Sequence, residues 1–142
     1  MSASPLYTGR LDRIPDYRHG HAGPGPNRVE DMTEARVWSV TSTTPTVEDA
    51  QMIARTVVAE RLAAGAEVSG PAMSVFWHND ELGEGQEWRV TLKTSVMVRN
   101  KLAKRIQELH PWAGAAEIVA TPVEWATEYY VAWVEKVTAA VE

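Results

Sequence analysis

Four histidines and nineteen carboxylates are the groups with which this chain can do chemistry, because it contains no cysteine. That rules out a disulfide framework, a cysteine nucleophile and a thiolate site for a soft metal. Imidazole and carboxylate come closest together in Phe76-Trp77-His78-Asn79-Asp80-Glu81. Imidazole exchanges protons near neutral pH, and a neighbouring carboxylate orients it and raises its pKa. The same groups can also hold a hard or borderline divalent ion. Sequence leaves both uses open, beside the ordinary fate of such charges, a solvated turn. His110 stands directly before Pro111, where a helix would end and its dipole would favour a cation. His19-Gly20-His21 has the spacing of a weak metal pair. Six tryptophans complete the set. Trp88 and Trp133 fit core periodicities. Trp77, Trp112 and Trp125, with Tyr129, are candidates for pocket walls, where aromatic faces hold planar or cationic ligands. No phosphate-cradling glycine loop, nucleophile elbow or catalytic triad is present, which argues against hydrolysis through a serine intermediate.

These groups need elements to position them. Residues 1 to about 35 contain Pro5, Pro15, Pro24, Pro26, Gly9, Gly20, Gly23 and Gly25 with few aliphatic residues, so this arm cannot build a core of its own. Leu6, Tyr7, Leu11, Ile14 and Tyr17 are its potential anchors on a body formed by residues 36–142.

Arg36–Ser42 reads as a short strand and Thr41–Thr46 as a turn. Thr46 is placed to cap a helix whose first turn carries Glu48 and Asp49. Ala50, Ile53, Ala54, Val57, Val58 and Leu62 recur at three and four residues, and Gly65 is placed to end that helix. Glu67–His78 predicts a second strand, irregular at Gly70-Pro71, followed by a turn over Asn79–Gly85. Trp88, Val90 and Leu92 alternate with Arg89, Thr91 and Lys93, which predicts the other half of a hairpin. Ser95 is placed to cap a second helix with an apolar stripe of Val98, Leu102, Ile106 and Leu109. His110-Pro111 stops it. Glu117–Thr121 predicts a fourth strand ended by Pro122. A last helix from about Thr127 should bury Tyr130, Trp133, Val134 and Val137. The order β-α-β-β-α-β-α predicts an α+β, ferredoxin-like sandwich: a four-stranded antiparallel sheet with helices on one face.

The length of 142 residues fits one domain, and 44% apolar with 23% charged residues is an ordinary globular composition. A formal charge of −5 argues against nucleic acid as a partner. No apolar run is long enough to cross a bilayer, and no export signal is evident, so the expected location is the cytoplasm.

Glu60-Arg61-Leu62-Ala63-Ala64, Ser74-Val75-Phe76, Glu87 to Lys93-Thr94, His110-Pro111-Trp112, Glu117-Ile118, Pro122-Val123 and Tyr130-Val131-Ala132-Trp133 form an ordered set. Over about residues 36–137 this set resembles the CutA family, here as a divergent member with an N-terminal extension. The resemblance implies a tight homotrimer, with sheets joined edge to edge and clefts between subunits, and an association with divalent-cation tolerance and copper. It also implies departures. Ser42 and Gly65 stand where the family commonly has cysteines, which leaves His110 as the one remaining member of its usual metal-ligand set. The hairpin pattern Tyr-x-Trp-x-Gly-Lys becomes Phe76 to Glu81, and Tyr-Glu after His-Pro becomes Trp112-Ala113.

In such a trimer Lys93 and Glu117 would lie on neighbouring strand edges, as an ion pair or as ligand contacts. Two functions follow as expectations. In the first, the trimer binds a small organic molecule in its clefts and catalyses a cofactor-free cyclisation, isomerisation or elimination. Its acid/base groups would be His78 or His110, supported by Asp80, Glu81, Glu117 and Lys93, with Trp77, Trp112, Trp125, Ser42 and Tyr129 as ligand contacts. In the second, it remains a copper- or zinc-binding tolerance protein with His110 among the ligands.

Overall fold

The computed structural model describes residues 34–139. The expectations for the arm, including His19, His21 and its five apolar anchors, fall outside those residues. The described chain runs β1 (Val37–Thr44), α1 (Val47–Ala59), β2 (Gly65–His78), β3 (Glu81–Ser95), α2 (Arg99–Leu109), a 3-10 turn (Ala113–Ala115), β4 (Ile118–Pro122) and α3 (Glu128–Thr138). The strands form one antiparallel sheet in the order β2-β3-β1-β4, the ferredoxin-like arrangement.

Register decides what each face buries, because successive side chains on a strand point to opposite sides. Val40, Val90 and Leu92 share one face with Ala50, Ile53 and Val57 of α1 and Leu102 and Ile106 of α2. Val37, on the opposite parity of β1, packs instead with Ala64 and with Val134 of α3. The two crossover helices therefore share one face as expected, while α3 lies across the other. The Thr138 hydroxyl on α3 donates to the Val134 carbonyl and accepts from the Ser95 hydroxyl at 2.8 Å, which fixes that contact.

Thr46 caps α1 as its position predicts: its Oγ1 accepts from the Asp49 amide at 3.1 Å. The helix ends at Ala59 rather than Gly65. Arg61 takes the left-handed conformation (φ 65), its amide donates to Val58 and the Leu62 amide donates to Val57. This is a Schellman ending built without glycine, with Leu62 and Val57 packed in the same cluster. Gly65 instead opens β2. The threonines expected as a turn continue β1, where Thr43 and Thr44 pair with Arg89 and Trp88. Ser95 ends β3, and α2 begins after Val98 without a side-chain cap. Trp133, expected in the core, is 41% exposed.

The hairpin differs most from expectation. Its turn is two residues, Asn79 (φ 50) and Asp80 (φ 66), the conformation of a type I′ turn. His78 pairs directly with Glu81, so Glu81–Gly85 is strand. Gly83 lets the Phe76 ring lie close over β3, since a Cβ there would stand 2.6 Å from the ring and push it aside. The sheet proper reaches only Trp88 on β3, whereas β2–β3 pairing continues for seven further pairs, Ala72↔Glu87 to His78↔Glu81. At roughly 3.4 Å per residue this two-stranded ribbon projects about 20 Å beyond the sheet. Met73, Val75 and Trp77, alternating on one face of it, are all exposed, as is Leu82 opposite Trp77.

Candidate functional site

His110 follows the last turn of α2, where its amide still bonds Ile106 and Pro111 prevents continuation. Its side chain is 4% exposed. Nε2 lies 2.7 Å from the carbonyl of Thr43, which can only accept, so Nε2 carries the proton. Nδ1 then accepts from the Trp112 amide at 3.1 Å, and the Trp112 ring tilts against the imidazole with centroids 5.3 Å apart. Both ring nitrogens are committed within the chain, and the ring can neither ligate a metal nor take up a proton without breaking a contact. Burial holds its pKa below the ordinary 6.5, partly opposed by the Thr43 bond and the charge of Asp49.

That direction has a consequence for stability. Between the depressed native pKa and 6.5 the unfolded chain binds more protons than the native one, so stability rises with pH in this window. The contribution is complete above about pH 6.5 and is lost as pH falls, at no more than about 1.4 kcal/mol per pH unit for one proton. Thermal midpoints from pH 7 to 5 should therefore fall more steeply for the natural chain than for His110→Gln. Equal slopes would show that His110 does not stay neutral.

Around His110 the chain gathers several of the residues singled out above. Thr43 Oγ1 donates to Glu117 Oε1 at 3.3 Å. Ser42, next along β1, is fully buried, and its hydroxyl has no hydrogen-bond partner among the described residues. Within one chain Lys93 does not meet Glu117: it faces Ser39 and Gly65 in register, and β1 lies between β3 and β4.

His78, Asp80 and Glu81 form a second group at the ribbon tip. Arg89 is the residue opposite Thr43, and Glu81 lies eight residues further along β3, about 25 Å away. One chain therefore does not bring this group to His110. The tip itself does assemble a pair, since His78 and Glu81 are directly opposed and their side chains share a face. The Asn79 amide nitrogen lies 3.2 Å from His78 Nε2, placing the proton on Nδ1, which is buried and has no partner among the described residues. Trp77, on the other face, is 59% exposed. Trp125 and Tyr129 are also exposed and lie near neither group; Trp125 lines a groove at the start of β1. Among the described residues no three His, Asp or Glu side chains are grouped to hold a metal ion, and no helix is long and apolar enough to cross a membrane.

No local sequence pattern marks the ion pairs that join distant segments of the described chain. Arg36 bonds Glu128 and Glu135 across more than ninety residues, and Arg99 pairs with Glu34 while lying over the Trp38 ring. Such contacts follow only from the topology.

A ferredoxin-like sheet with a third helix across its open face and a long projecting β2–β3 ribbon defines the class of the protein. The family model described as CutA1 divalent ion tolerance protein matches residues 38–137, and the chain belongs to that family. The divalent-cation tolerance protein CutA of Thermus thermophilus is 34% identical over 96 residues, covering 68% of this chain and 92% of that protein. Protein CutA of Mus musculus is 32% identical over 118 residues, covering 83% of this chain and 66% of its own length. The crystal structure of CutA from Xylella fastidiosa superposes with a TM-score of 0.70 at 28% identity, over 73% of this chain and 99% of that one.

Proposed function

We propose that this chain is a divalent-cation tolerance protein working as a homotrimer, with the cation held by imidazole and carboxylate groups contributed by more than one copy. The projecting ribbon carries this reading. It exposes an apolar face that a two-stranded hairpin cannot stabilise alone, and it ends in an opposed His78–Glu81 pair. Two donors are half of a tetrahedral site, so a neighbouring copy supplies at least one more, with water filling any position left. Turning the exposed Asn79 side chain away frees Nε2 as a ligand, while the proton stays on Nδ1. The donor chemistry fits a borderline ion such as zinc or copper(II) rather than copper(I), which prefers the thiolates this chain lacks.

His110 fits this role poorly, since both of its nitrogens are already bonded. Its place is structural, holding the end of β1 to the end of α2. The organic-ligand reading uses the same tip residues as acid and base. It draws less support than the cation reading, because family membership points to divalent ions and His110 is not available for proton transfer.

Calorimetric titration of the tag-free chain with zinc and copper(II) tests the proposal. A dissociation constant tighter than about 1 mM is expected, weakened at least about tenfold by His78→Ala with Glu81→Gln and unchanged by His110→Gln. Binding no tighter than millimolar, or loss confined to the His110 variant, overturns it.

A further inference from the structure

A groove of about 830 Å³ opens where β1 begins, between the end of β4 and the first turn of α3. Its size suits a small molecule. Two of its walls are aromatic: Trp38, and Trp125, which is 79% exposed. The charge around it is one-sided. Four carboxylates (Glu34, Glu124, Glu128, Glu135) stand against two guanidinium groups (Arg36, Arg99), an excess of two negative charges.

The arrangement already shows what it recognises. Arg36 presents its planar fork to Glu135, Nε to Oε2 at 2.9 Å and Nη2 to Oε1 at 2.7 Å, and reaches Glu128 at 3.2 Å. Arg99 stacks 4.3 Å from the centroid of Trp38 and pairs with Glu34 at 2.9 Å. A hydrogen bond from Trp38 Nε1 to the Ala35 carbonyl fixes that ring. Each internal guanidinium thus has carboxylate oxygens, and one has an aromatic face as well. On the groove side, Trp125 and its neighbour Glu124 offer the same two components, and Glu124 has no ion pair among the described residues. Exposed aromatic faces attract cations by their quadrupole, and a planar cation stacks best.

We propose that this groove is a binding site for a small planar organic cation of the guanidinium class, stacked on Trp125 and neutralised by Glu124. The site is separate from the ribbon tip and does not depend on cation tolerance.

The test uses the full chain labelled with fluorotryptophan and fluorine NMR, with N-methylguanidinium chloride as probe. N-methylurea is the neutral isostere, at matched ionic strength. The Trp125 and Trp38 resonances should shift saturably with a dissociation constant of millimolar order, while N-methylurea leaves them in place. Trp125→Ala, read at Trp38, should weaken binding about fivefold, and Glu124→Gln, read at Trp125, about threefold. Both side chains are exposed, so neither change threatens the fold. A response that does not saturate, an equal response to N-methylurea, or no effect of Trp125→Ala overturns the proposal.

Discussion

Trp77→Asp is expected to dissociate the proposed homotrimer. Trp77, Met73 and Val75 occupy alternate positions on one face of the ribbon, with Leu82 opposite Trp77, and all four are exposed in the single chain. A contiguous exposed apolar face of this kind marks an interaction surface, and burying one such side chain is worth about 1.5–3 kcal/mol. Aspartate forfeits that burial and adds a carboxylate whose desolvation is unfavourable. In the proposed trimer both losses apply at every contact. The dissociation constant for a copy should rise by at least about a hundredfold. Sedimentation velocity at micromolar concentration should show a monomer for Trp77→Asp, and a trimer for a surface control such as Lys101→Asp. An unchanged trimer for Trp77→Asp would remove the ribbon from the interface.

The second large effect lies in the core. Leu102 is fully buried in the cluster between α2 and the sheet. Truncation to alanine leaves a cavity among Ile53, Val57, Leu92 and Ile106, elements held rigidly on both sides, and costs about 3 kcal/mol per chain. Leu109, on the same stripe but only partly buried, should cost less than half of that on truncation. Denaturant midpoints at equal protein concentration check the contrast, because oligomer stability depends on concentration. Equal losses at the two positions would show that α2 is not seated as described.

The same stripe shows why so much of the architecture was legible. Periodicities of two and of about 3.6 report which face is buried, so Val90 and Leu92, Ile53 and Val57, Leu102 and Ile106 all fall where the pattern puts them. Boundaries were less legible because they depend on unusual backbone at ordinary residues. Arg61 and Asp80 hold positive φ where glycine is the usual signal, so Gly65 and the glycines at 83 and 85 drew the expected breaks away from their true places. Trp133 was misplaced because α3 lies over the sheet face opposite the other helices and buries Val134 more completely.

The candidate site was legible in part. His78 and Glu81 were chosen for proximity in sequence, and the two-residue turn makes them a true cross-strand pair. His110 carried the strongest chemical expectation, and tertiary structure changes its meaning. The Thr43 carbonyl and the Trp112 amide occupy its two nitrogens, and the Thr43 contact arises from packing sixty-seven residues away. Trp125 was a candidate pocket wall from sequence, but the charges around its groove were not legible, because Arg36 meets Glu128 and Glu135 only through the fold.

In the proposed trimer, several copies of this chain together hold a divalent cation that one copy cannot. Native mass spectrometry of the intact protein with a small excess of zinc counts subunits and ions in the same particle. The expected particle is a trimer carrying bound zinc, with neither a zinc-loaded monomer nor a trimer that stays metal-free. A monomer that binds zinc by itself, or a trimer that never does, would contradict it.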